Sequence, residues 1–186
     1  MRFYLSTRKP WNSVYTTEDG QVIYKTTTPW KICERKTSIE RIVPNKEVGD
    51  MRDEFAHLAE VDHGVFSSSQ IRYGGQDLVT REFFRKGAWS WRGRRKGRMF
   101  TGPDGIEYRW KLGVHVPELC LNDSIDTPVA RYHRSSLGIL SPAHAAYLEV
   151  FPIGEHMVDL IVVTFVYIER LRQEEEAQRP RGGGGS

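Results

Sequence analysis

The stretch Arg85-Lys86-Gly87-Ala88-Trp89-Ser90-Trp91-Arg92-Gly93-Arg94-Arg95-Lys96-Gly97-Arg98 carries seven basic residues, no acid, two tryptophans and three glycines. Guanidinium groups pair bidentately with phosphate, and lysine adds compact point charges. Indoles settle at the headgroup level of a bilayer. Arg85, Lys86, Trp89, Trp91, Arg92, Arg94, Arg95, Lys96 and Arg98 are therefore the candidate residues for binding an anion or a lipid headgroup. The chemistry points to four readings: a solvated hairpin loop with its indoles folded onto the protein, an anionic phospholipid site, a nucleic-acid site, or a contact with an acidic protein.

Catalytic and metal-binding patterns are sparse. The six histidines are His57, His63, His115, His133, His144 and His156, and none forms a His-x-x-x-His or His-Glu-x-x-His pair. Asp62-His63 is the nearest approach to a metal pair, a single dipeptide. The sequence holds no Gly-x-Ser-x-Gly elbow and no phosphate-binding Gly-x-x-x-x-Gly-Lys-Ser/Thr loop. Ser141-Pro142-Ala143-His144 contains nucleophile and base residue types, but Ser-Pro is first a turn signal. These observations favour a binding module without cofactor or metal over an enzyme. A protein-interaction scaffold is the alternative, and an enzyme whose site is assembled only in three dimensions is the third reading.

Composition sets the frame. The chain of 186 residues is long enough for one domain with a substantial core. Its net charge is only +3, so any affinity for anions must come from local clustering. Cys33 and Cys120 form neither a disulfide framework nor a zinc pattern, and two reduced thiols are expected. The first ten residues lack the apolar core of a signal peptide, which leads to an expected cytoplasmic location, peripheral to a membrane or nuclear. Residues 1–178 are read as a single domain. Residues 179–186 read as a tail ending in the linker-like Gly182-Gly183-Gly184-Gly185-Ser186.

The segment that must organise such a domain runs from Glu155 to Gln173. From Met157 to Ile168, ten of twelve residues are apolar, with only Asp159 and Thr164 interrupting. Its β-branched residues favour a strand. Its length, and its unbroken continuation into good helix formers from Glu169 to Glu176, favour a helix near 155–175. A helix apolar on every side must be surrounded by protein. The run is about half the roughly 20 residues that a membrane span needs.

The preceding chain reads as about ten short strands. Ser13–Tyr15 and Gln21–Thr27 flank the turn Glu18-Asp19-Gly20, and Lys31–Val43, Phe55–Val61 (a strand, with a short helix as the alternative), Val65–Tyr73 and Leu78–Phe84 follow. The clearest hairpin is Arg98–Thr101, Gly102-Pro103-Asp104-Gly105, Ile106–Leu112, with Ile106, Tyr108, Trp110 and Leu112 on one face. Glu118–Leu121, Pro128–Arg134 and Ala146–Phe151 complete the series. Many short strands and one wholly apolar helix are reconciled by a closed barrel with the helix threaded through it.

Several segments also resemble a known group. Asp19–Tyr24, Thr37–Arg41, Phe100–Gly105, Tyr108–Lys111, Val129–Tyr132 and Asp159–Arg172 resemble, in this order, a family of mushroom-type fungal proteins of unknown function. That family is similar to the tubby C-terminal domain, the plant LURP-one-related proteins and the phospholipid scramblases. The resemblance implies a closed antiparallel β-barrel of about twelve strands around a central hydrophobic C-terminal α-helix. Tubby domains bind phosphoinositides, and no headgroup residue is carried over from them to this chain; the palmitoylated cysteine cluster of scramblases is absent from it.

Overall fold

The computed structural model describes residues 1–29, 36–43, 54–64, 68–86, 97–112, 116–136 and 143–178. Thirteen strands form one antiparallel sheet: β1 (Arg2–Leu5), β2 (Ser13–Thr16), β3 (Val22–Thr27), β4 (Lys36–Val43), β5 (Glu54–Asp62), β6 (Gln70–Tyr73), β7 (Gln76–Val79), β8 (Arg85–Lys86), β9 (Gly97–Thr101), β10 (Glu107–Lys111), β11 (Glu118–Leu121), β12 (Pro128–His133) and β13 (Tyr147–Val150). A short helix, α1 (Thr80–Phe83), separates β7 from β8, and a 3-10 turn over Pro152–Met157 leads into α2 (Val158–Ala177). No helix among the described residues is long and apolar enough to cross a membrane.

The strand order is β7-β6-β5-β4-β3-β2-β1-β13-β12-β11-β10-β9-β8. Every neighbour but one is a sequence neighbour; the exception is β1, which pairs with β13 and joins the two halves. Strand after strand turns one alternating face inward, with Phe3, Tyr15, Tyr24, Ile39, Val61 and Trp110 all buried.

Those faces pack on α2. Leu160 through Glu169 are buried without a gap, more than two full turns, so no side of that stretch meets water. The expected burial of Leu160, Ile161, Val163 and Phe165 is seen. Contacts come from both halves of the sheet: Tyr24 of β3 bonds Asp159, and the rings of Trp110 and Tyr132 lie 6.2 Å and 5.0 Å from that of Phe165. The two polar residues interrupting the apolar run are both satisfied. Thr164 Oγ1 accepts from Trp110 Nε1 at 3.1 Å and donates to the Leu160 carbonyl at 2.7 Å. Asp159 takes its bonds at the entrance to the helix. Before it, Gly154 permits a close approach, since a Cβ there would sit 2.8 Å from Val129 Cγ1 and 3.0 Å from Ile161 Cδ1.

The expected mainly-β fold of antiparallel strands with a C-terminal helix is seen, with thirteen strands in one sheet packed on α2 among the described residues, and no pairing joins the end strands β7 and β8 among those residues. Phe83 and Phe84 lie between those ends in sequence. Phe84 stacks on Tyr167 of α2 at 5.3 Å, and Phe83 stacks on Phe100 of β9 at 5.4 Å, so aromatic packing occurs where a ladder was expected. The strand expected over Leu78–Phe84 ends at Val79 and becomes α1. Ile106 is 48 % exposed rather than inward, because β10 begins at Glu107; Tyr108, Trp110 and Leu112 keep the buried face. Finally, β1 was not anticipated, and it is the strand that unites the sheet.

Cys120 on β11 is a buried free thiol, and Cys33 lies outside the described residues. The hairpin of β9 and β10 turns as expected, with Gly105 at φ +79°, a left-handed conformation that suits glycine.

Candidate functional site

Of the basic candidates, Arg85, Lys86 and Arg98 are placed; Trp89, Trp91, Arg92, Arg94, Arg95 and Lys96 lie outside the described residues. Arg85 and Lys86 form the edge strand β8, opposite Met99 and Arg98 respectively. Lys86 and Arg98 are thus like charges facing one another across a ladder, an unfavourable pairing. Arg98 is relieved by Glu175 near the end of α2, with NH2 3.6 Å from the carboxylate, and its side chain is only 13 % exposed. Arg85 pairs closely with Glu107 of β10, and its guanidinium holds that carboxyl below the usual range. Two of the three placed candidates are therefore already neutralised.

A second feature lies at the other end of the helix. A cleft of about 840 Å³ opens beside the first turn of α2. At its floor Asp159 Oδ1 accepts from the Tyr24 hydroxyl at 2.6 Å, and Oδ2 accepts from Arg41 NH1 at 2.5 Å. Asp159 comes from α2, Tyr24 from β3 and Arg41 from β4, so the cluster ties the helix to the sheet. The carboxylate also lies in the first turn of α2, where the peptide dipoles favour negative charge. Burial, then the bond to Asp159, pushes the Tyr24 phenol far above its usual range, so Tyr24 acts as a fixed donor near neutrality. Tyr73 also lines the cleft and is raised by burial, then by Asp159, against the opposing Arg41 charge.

Five carboxylates and two guanidiniums line this cleft, with the terminal ammonium of Met1. Arg2 is engaged by Glu149 at 3.2 Å and Glu18 at 3.6 Å, while half of the Arg41 side chain remains exposed. The excess of acid makes the cleft a poor phosphate site. The cleft lies at the start of α2, whereas Arg98 of the basic run sits beside Glu175 near its end. Sequence reasoning missed the cleft, although its three floor residues each fall within segments that carried the family resemblance, and Asp159 stood out as a charge in an apolar run.

Tyr24→Phe removes one donor to a partly buried carboxylate. A hydrogen bond to a charged group contributes about 1.5–3 kcal/mol. A urea melt of this variant is expected to show a lower midpoint with an unchanged slope, and an unchanged midpoint would mean that the Tyr24–Asp159 bond is not a stabilising element.

Fold and cleft define a mainly-β protein in which one antiparallel sheet packs on a C-terminal helix. The chain belongs to the family of unknown function DUF6593, whose model matches residues 8–174. No curated protein and no solved structure matches it.

Proposed function

We propose that this domain is a non-enzymatic binding module for anionic phospholipid at a membrane surface, acting through Arg85–Arg98. The observation that carries the reading is the run of seven bases without an acid. The sites of Lys86 and Arg98, opposite one another on β8 and β9, support it, because they bring both ends of the run to one place. Setting aside Arg85 and Arg98, which are neutralised by Glu107 and Glu175, five bases remain: Lys86, Arg92, Arg94, Arg95 and Lys96. At about 1 kcal/mol per base near an anionic surface, the attraction is about 5 kcal/mol. That corresponds to a dissociation constant of roughly 0.2 mM, and insertion of Trp89 or Trp91 strengthens it further.

The same reading takes the body as a closed, tubby-like barrel of fungal type acting in the cytoplasm. Its support is the burial of every face of α2 from Leu160 to Glu169, and the five residues, Thr80 to Phe84, that separate β7 from β8.

Vesicle co-sedimentation tests the reading. Wild type is expected to pellet with phosphatidylserine vesicles and not with neutral phosphatidylcholine vesicles, with binding lost at high salt and in Arg94→Glu with Arg95→Glu. Duplex or single-stranded DNA at the same ionic strength separates the nucleic-acid rival, which has its own salt slope of about −0.9 per neutralised phosphate. Equal pelleting of wild type and the double reversal on anionic vesicles would remove the lipid reading and leave the protein scaffold.

A further inference from the structure

The cleft at the start of α2, about 840 Å³ in volume, has the size of a small-molecule site, for which about 300–1,000 Å³ is usual. Its walls join distant parts of the chain. Ile23 of β3, Tyr73 of β6 and Val158 of α2 are half-buried there, so each leaves part of an apolar side chain on the wall. The carboxylates fall into two sets. Asp159 and Glu149 are covered and held: each is only 20 % exposed, with Arg41 at 2.5 Å from the first and Arg2 at 3.2 Å from the second. The other three are open. Glu18 is 62 % exposed and shares Arg2, at 3.6 Å, with Glu149. Glu155 is 47 % exposed, with the Met1 ammonium at 3.8 Å. Asp19 is exposed and has no ion pair among the described residues.

Size, wall and charge together select a ligand. The carboxylates of the lining outnumber its guanidinium and ammonium groups by two. A cleft with protein walls and an excess of one sign focuses its field and concentrates the opposite charge. An anion would face that excess. A bare metal ion would leave the apolar walls uncovered, and among the described residues no group of three or more His, Cys, Asp or Glu is placed to hold one. A cation carried on an apolar body satisfies both the open acids and the walls.

We infer that the cleft binds a small organic cation, an amine or guanidine on an apolar body. Its charge sits among Glu18, Asp19 and Glu155, and its body lies on Ile23, Tyr73 and Val158. The inference is independent of the lipid reading, since no described residue of 85–98 lines the cleft and the preferred charge is the opposite one.

A magnetic-resonance titration of the whole chain with phenethylamine tests it. Phenethyl alcohol and hydrocinnamate are the comparison probes, because they keep the ring and chain and change only the charge. Phenethylamine is expected to shift the Ile23, Tyr73 and Val158 amides saturably, and added salt to weaken the binding. The alcohol is expected to bind at least tenfold more weakly, and hydrocinnamate not at all. Asp19→Asn with Glu155→Gln, both at exposed positions, is expected to weaken phenethylamine binding at least tenfold. Glu82→Gln with Glu175→Gln makes the same change of net charge outside the cleft lining and is expected to change the binding less than twofold. The amide spectrum without ligand shows that each variant keeps the fold. No saturable shift up to about 10 mM phenethylamine, beyond the millimolar scale of a weak site, overturns the inference. So does equal binding of the amine and the alcohol, saturable shifts confined to residues outside the cleft, or an equal effect of the two double variants.

Discussion

Phe165→Ala is expected to lower the unfolding free energy by about 3–5 kcal/mol, and with it the melting temperature by roughly 6–20 °C for a chain of this size. Phe165 is fully buried on α2 between Trp110 of β10 and Tyr132 of β12. Both neighbours are held in ladders, β10 between β9 and β11, β12 between β11 and β13, so the cavity left by the ring cannot be refilled by a small shift. Leu160→Asp goes further: it places an unpaired charge where every neighbouring position to Glu169 is buried, and soluble protein is not expected. Calorimetry of the alanine variant is the check. A loss under about 1 kcal/mol, the scale of an ordinary surface change, would mean that α2 does not hold the sheet together.

The second large effect belongs to a charge pair in the interior. Glu169 is 1 % exposed and Arg172 4 %. Arg172 donates from Nε at 2.6 Å and from NH2 at 2.8 Å to the two carboxylate oxygens of Glu169. NH1 continues to Glu176 at 2.7 Å, and Gln173 donates a further bond to Glu169. The Glu169 bond, opposed by burial, pushes the guanidinium above its usual range. Arg172→Met strands a buried carboxylate and is expected to cost about 3–5 kcal/mol. The double change Glu169→Leu with Arg172→Met removes both charges and is expected to recover most of that loss, as apolar replacement of a buried pair is often neutral or better. Denaturant melts of the two variants decide it; equal destabilisation by single and double changes would mean that packing, not the stranded charge, sets the effect.

The helix was legible because its signal is local: ten apolar residues of twelve, continuing without a turn into helix formers. The hairpin at Gly102–Gly105 was legible for the same reason. What failed was short or distant. Strand β1 is four residues long, with only Phe3 and Leu5 inward, too brief for alternation to register, and its partner β13 lies more than 140 residues away. Helix α1 is a single turn. Glu169 and Arg172 read only as good helix formers, and nothing in their types signals the burial seen in the fold. The Tyr24–Asp159 bond spans 135 positions and Arg41–Asp159 spans 118, so the cleft floor has no sequence signature beyond a lone aspartate in an oily run. The basic segment, being contiguous, was visible at once, but its partial neutralisation by Glu107 and Glu175 was not.

The most direct test of the membrane-binding proposal is tryptophan emission on vesicles, comparing wild type with Trp89→Phe and Trp91→Phe together. Indoles entering the headgroup region move into a less polar setting. The account predicts a blue shift with phosphatidylserine vesicles, none with neutral vesicles, and no shift in the double variant, whose remaining tryptophans are Trp11, Trp30 and Trp110. Emission that does not change on anionic vesicles, or that shifts equally in the double variant, would contradict it.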